Sequence, residues 1–107
     1  MNSAATSFSA RVYELALSIP PGRVTTYGIL AKAAGGGAMA SRSITGILGK
    51  APNQAAIPYH RIVYAGGKVW WNAEHEKKRR RMYKKEGIEV TQTGKITNFD
   101  EIVYHFD

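Results

Sequence analysis

Thr26-Tyr27-Gly28-Ile29-Leu30-Ala31-Lys32-Ala33-Ala34-Gly35-Gly36-Gly37, followed three residues later by Ser41-Arg42-Ser43-Ile44-Thr45-Gly46-Ile47-Leu48, decides the fold of this 107-residue chain. The first segment places helix formers behind a threonine, Thr26 or Thr25, whose hydroxyl can accept a backbone N–H as N-cap. Three glycines end that helix. Ser41 is placed to cap a second one, on which Ile44, Ile47 and Leu48 form an apolar i, i+3, i+4 stripe. Helix, glycine turn and helix is the layout of a helix-turn-helix, which would carry Arg42, Ser41, Ser43 and Thr45 to a DNA groove. By periodicity alone an ordinary helical hairpin fits equally well.

Working outward, Phe8, Val12, Leu15 and Ala16 predict a helix from Ser7 to Ser18, stopped before Pro20-Pro21-Gly22 because proline cannot continue it. On the other side, residues 51–56 read as a loop. A short strand or hairpin is expected near Ile62, with Gly66-Gly67 as its turn. The run from Glu74 to Glu86 begins acidic, ends basic and is followed by Gly87, which matches a helix dipole and its C-terminal stop. Ile88-Glu89-Val90 and Ile102-Val103-Tyr104 alternate around Gly94, so residues 91–107 are expected to form an appended hairpin or a partly loose tail. The expected architecture is one domain over residues 1–107, mainly α with a short β-hairpin, of winged helix-turn-helix type.

With 44% hydrophobic residues the chain can bury one modest core. Fifteen Lys and Arg against eight Asp and Glu leave a formal charge of +7, which calls for a polyanionic partner without choosing between DNA, RNA and anionic lipid. Residues 1–6 lack a basic, apolar leader and no stretch approaches the roughly 20 apolar residues of a membrane span, so a soluble, cytoplasmic, monomeric protein off the membrane is expected. With no cysteine there is no disulfide, no thiolate metal site and no thiol nucleophile. His60, His75 and His105 form no recognisable ligand spacing, so neither metal nor cofactor is expected.

Ile57-Pro58-Tyr59-His60-Arg61-Ile62-Val63 resembles the active-site motif of O6-alkylguanine-DNA alkyltransferases, Ile/Val-Pro-Cys-His-Arg-Val, with Tyr59 in the cysteine position. Ile19-Pro20-Pro21-Gly22-Arg23-Val24-Thr25-Thr26-Tyr27-Gly28 is similar to that family's Ile-Pro-x-Gly-x-Val-x-Thr-Tyr-Gly segment, Ser41-Arg42-Ser43-Ile44-Thr45-Gly46 to its Ala-Arg-Ala-Val-Gly recognition helix, and Glu86-Gly87 to its Glu-Gly. The likeness covers about residues 7–90 and implies the fold of the transferases' C-terminal DNA-binding domain. A tyrosine phenol, with a pKa near 10, is a far poorer nucleophile at neutral pH than a thiolate. The resemblance therefore points to the alkyltransferase-like proteins, which replace the cysteine, usually with Trp, bind O6-alkylguanine in DNA and flag it for nucleotide excision repair. Tyr59 departs from that Trp and leaves the preferred alkyl size open.

By the same resemblance Arg42 would take the place of the extruded base and Tyr27 would crowd the 3′ phosphate. Tyr59, His60, Arg61, Tyr27, Pro58, Trp70 and Glu86 would build the alkylguanine pocket, none of them catalytic, and excision-repair proteins would be the protein partners. The family's Asn-Pro is Ala51-Pro52 here and its glycine-rich stretch is Val69-Trp70-Trp71-Asn72-Ala73, which puts Trp70 at the pocket mouth. Lys77 to Lys85 holds seven of the fifteen bases, too many for one helical face. A helix-turn-helix regulator reading sequence without flipping is the main alternative. A nuclease-like enzyme with Tyr59 as nucleophile is a weaker one, recognisable by a covalent DNA adduct.

Overall fold

Apolar residues at helical spacing need a surface to bury against, and short helices around a very small sheet provide it. The computed structural model describes residues 7–37 and 40–106. The elements run α1 (Phe8–Leu17), β1 (Thr25–Thr26), α2 (Tyr27–Ala33), α3 (Ile44–Gly49), β2 (Ile62–Val63), α4 (Glu76–Lys85) and α5 (Phe99–Ile102). Ser7 caps α1 by accepting the Ala10 N–H at 3.1 Å, and Thr26 caps α2 by accepting that of Ile29 at 3.0 Å. The expected first and second helices are thus both present, and Thr26 rather than Thr25 is the cap.

The chain leaving α2 is close-packed at Gly36. A Cβ on Gly36 would stand 2.5 Å from Ala40 Cβ and 2.8 Å from the Phe8 ring, so only glycine fits there. Ser41 does not cap α3. It lies inside a 3₁₀ turn, Ala40–Ser43, that runs directly into the helix, with Ser43 already in helical backbone conformation and making no side-chain cap. Ile44 and Leu48 are fully buried and Ile47 partly so, as their stripe predicts.

The strand expected near Ile62 is present, but its sheet is parallel, Thr25 opposite Ile62 and Thr26 opposite Val63, so the β-hairpin of the expected architecture does not form there. The physical reason is the connection: residues 27–61 carry two helices between the strands, and such a crossover brings the chain back in the same direction. Alternation then splits the strand between two cores. Ile62 joins Val12, Ala16, Leu30, Ile44 and Leu48, whereas Val63 joins Val24, Val69, Tyr83, Ile88 and Ile96.

Residues 91–106 are not a loose tail. Val90 and Ile96 form an antiparallel bridge around the expected Gly94 turn, and Val103 bridges Val24 in parallel on the far side of β1. The Val24 N–H donates to Ile102 O at 3.1 Å, and the Tyr104 N–H to Val24 O at 2.6 Å. Arg23 donates to the Ile102 and Val103 carbonyls at 2.9 and 2.8 Å, and Tyr104 and Phe106 pack on the first core. Alternation in 102–104 was the signal, but its partner lies about eighty positions upstream, beyond local pattern reading. Among the described residues no helix is long and apolar enough to cross a membrane.

Candidate functional site

The motif at residues 57–63 leaves the first core with Ile57 and Pro58 buried, turns once as a 3₁₀ helix over Tyr59–Arg61, and enters β2. The turn is pinned from α4, where the buried Tyr83 hydroxyl donates to His60 O at 2.6 Å. Burial pushes that hydroxyl up to about 12, so it remains a donor at any ordinary pH.

Behind the turn, Glu86 gathers the landmarks of three distant segments. Its carboxylate accepts from the Gly22 N–H at 2.9 Å, from His60 Nε2 at 2.7 Å and from Arg61 Nη2 at 2.7 Å, while Arg61 Nη1 donates to Ile19 O at 3.0 Å. Burial alone would push the Glu86 carboxyl up; the donors from Arg61, Gly22 and His60 outweigh it and hold it at about 2. Burial lowers His60, and the Glu86 carboxylate opposes without reversing it. His60 is therefore neutral near pH 7, with Nε2–H donating to Glu86, and Nδ1 is a buried acceptor with no partner among the described residues.

Both shifts make the unfolded chain the better proton binder on the acid side, so stability falls as pH falls. Below the ordinary histidine value of 6.5 the unfolded His60 protonates first, and between the ordinary glutamate value of 4.5 and about 2 the stabilisation by Glu86 is lost. Thermal melts across this range are expected to show a plateau near neutrality, a decline below about pH 6.5 and a steeper one below about pH 4.5. Glu86→Gln removes the lower limb; an unchanged Tm down to pH 3 would contradict the assignment.

In front of the turn lies a cavity of about 320 Å³, lined by Gln54, Ala55, Ile57, Tyr59, His60, His75, Lys78, Arg79 and Met82. That volume is at the lower end of small-molecule sites. The Tyr59 hydroxyl is tied to its wall, 2.7 Å from Gln54 Oε1 and 3.2 Å from Leu48 O. Burial raises its pKa further, so Tyr59 presents a neutral phenol and a ring face, and no phenolate. His75, Lys78 and Arg79 give the cavity basic walls, with no carboxylate among the lining residues.

The structure brings Tyr59 and His60 into the cavity, with Pro58 buried beside them and Arg61 and Glu86 behind His60 as support. Tyr27 stands at the start of α2, its ring 5.5 Å from that of Tyr64, with the Thr45 side chain of α3 near its hydroxyl. Burial and the neighbouring Tyr64 raise its pKa. Arg42 is exposed on the 3₁₀ turn before α3, with Ser43 and Thr45 exposed beside it and Ser41 partly covered. Trp70 is 42% exposed and packs at the cavity rim on His75, 5.9 Å between rings, under the Arg79 guanidinium at 5.7 Å. Trp71 is the inward one, packed on the second core with Arg80 4.4 Å above it.

Sequence reading missed Gln54, His75, Lys78, Arg79 and Met82. The last four recur at i, i+3, i+4 and i+7, one helical face, but the density of bases around them hid the pattern.

Comparison with known proteins agrees with this geometry. The family described as 6-O-methylguanine DNA methyltransferase, DNA binding domain, matches residues 7–88. The DNA base-flipping protein of Escherichia coli (strain K12) is 36% identical over 90 residues, 84% of this chain and 69% of that one. The DNA base-flipping protein of Vibrio parahaemolyticus is 33% identical over 89 residues, 83% of this chain and 88% of that one. A crystal structure of S. pombe Atl1 in complex with damaged DNA containing O6-carboxymethylguanine superposes with a TM-score of 0.74 at 26% identity, covering 91% of this chain and 94% of that one.

Proposed function

Because the chain belongs to the 6-O-methylguanine DNA methyltransferase family, as an alkyltransferase-like member without cysteine, we propose that it binds O6-alkylguanine in duplex DNA, flips it into the cavity beside Tyr59 and does not dealkylate it. One observation carries the reading. The His60–Glu86–Arg61 frame of the transferase-like site is intact, while the nucleophile's position holds a neutral, hydrogen-bonded phenol.

The basic protein docks electrostatically, and the turn bearing Arg42 enters a groove. Arg42 replaces the extruded base in the stack, where a planar guanidinium offers both a stacking face and charge. Tyr27, at the start of α2, crowds the phosphate and favours outward rotation. Base extrusion costs a few kcal/mol, and ring contact with Tyr59 and Trp70 repays part of it. Nothing covalent forms, so binding is reversible and its product is a marked site. Nucleotide excision repair proteins are the partners that would read the mark, with the protein acting as a cytoplasmic monomer and a single domain over residues 1–107. The reading as a sequence-specific regulator has no use for the cavity beside Tyr59.

Titration into matched duplexes containing guanine or O6-methylguanine, followed by analysis of the recovered DNA, tests this. A preference of about tenfold or more for the lesion, roughly 1.4 kcal/mol, with the methyl group retained is expected. Equal affinities would return the protein to the regulators, and methyl loss would overturn the non-enzymatic assignment.

A further inference from the structure

Five of the seven bases in α4 have no ion-pair or ring partner among the described residues. Arg79 lies over Trp70, and Arg80 pairs with Glu76 at 2.7 Å and covers Trp71. Lys77, Lys78, Arg81, Lys84 and Lys85 are exposed, and none forms an ion pair among the described residues. At about 100° per residue these five fall within an arc of about 120°. Seven bases could not share a face, but five do, because Arg79 and Arg80 are turned aside onto the two tryptophans.

A stripe of like charge works against the helix that carries it: Lys77 and Arg81, and Arg81 and Lys85, repel at i, i+4. Helix stability therefore does not account for it. Its position offers a reason. Lys78 belongs both to the stripe and to the wall of the Tyr59 cavity, so the stripe starts at the cavity. A flipped nucleotide remains joined to its strand, and the phosphates on either side of it must pass close to that opening.

We propose that the Lys77–Lys85 face of α4 is a second DNA-backbone surface, separate from the Arg42 turn, that holds phosphates flanking the extruded nucleotide. This rests on the base-flipping reading. From Lys77 to Lys85 the stripe runs about 12 Å at 1.5 Å per residue, the axial span of about three to four phosphates on one strand. Contacts of this kind add affinity and register and carry no sequence or lesion information.

The test compares the wild type with Lys77→Gln/Arg81→Gln/Lys84→Gln/Lys85→Gln, which spares the cavity-lining Lys78 and Arg79. Affinities for guanine and O6-methylguanine duplexes are measured between about 50 and 200 mM salt. The expected result is a log K against log salt slope shallower by about 2 to 3, at roughly 0.9 per phosphate lost. Binding to both duplexes is weakened tenfold or more at the low-salt end, and their ratio is preserved. An unchanged slope overturns the proposal and leaves the stripe to an acidic protein partner. Should the wild type show no lesion preference, the base-flipping reading fails, while the slopes on the guanine duplex still decide the stripe. Should the fourfold variant melt too low, Lys84→Gln/Lys85→Gln is read the same way, with a slope change of about 1 to 2 expected and none overturning.

Discussion

Arg42→Ala is expected to bind an O6-methylguanine duplex ten- to a hundredfold more weakly than the wild type, with its melting temperature unchanged. Arg42 is exposed and forms no ion pair among the described residues, so folding loses little when it is removed. On the proposed mechanism, binding loses the group that fills the vacated stack. Extrusion costs a few kcal/mol, and withdrawing part of the compensation, roughly 1.4 to 2.8 kcal/mol, gives that range. Arg42→Lys keeps the charge and loses the planar fork, so it should restore affinity for undamaged DNA better than affinity for the lesion. Equal lesion affinity for Arg42→Ala and wild type would remove Arg42 from the mechanism.

Glu86→Ala is expected to cost about 3 to 5 kcal/mol of stability, the usual penalty for removing one partner of a buried ion pair. At roughly 4 to 8 °C per kcal/mol for a domain of this size, Tm should fall by 12 °C or more. Three separate groups lose their acceptor at once: the Gly22 N–H, His60 Nε2 and the Arg61 guanidinium, which keeps only its bond to Ile19 O. Glu86→Gln retains one acceptor oxygen and should fall between the two. Calorimetry of both variants near pH 7 decides the point; a loss below about 1 kcal/mol would place the carboxylate in a solvent-like setting.

Helices were legible wherever caps, glycine stops and apolar spacing coincided, as at Ser7, Thr26 and Gly87. Position 41 misled because a serine two residues early carries the same chemistry as a cap, and only the 3₁₀ geometry of residues 40–43 distinguishes them. Strand pairing was illegible for a different reason. Two-residue strands leave almost no alternation to read, and Thr25 finds Ile62 through helix packing that residue order does not display. In the site, Tyr59, His60 and Glu86 were legible because a motif with fixed spacing carried them. Gln54 and the α4 wall belong to no such motif: Gln54 is set by its bonds to Leu48 O and Ala51 O, and the α4 residues reach the cavity through the docking of Tyr83 on His60 O.

The pairing of Val24 with Val103 also sets the order in which the domain can be completed. During synthesis, α1, α2 and α3 can collapse around Val12, Leu30 and Leu48 as soon as they emerge, since their contacts are local. The strand at Thr25 must wait, with one edge open until residue 62 arrives and the other until residue 104 has cleared the ribosome. Long-range parallel pairing is the slow kind of contact to form, and an uncovered edge is where nascent chains meet one another. For as long as translation of the second half lasts, the half-built domain is the Arg42 turn on an unfinished support, and it gains the cavity beside Tyr59 only when α4 has docked.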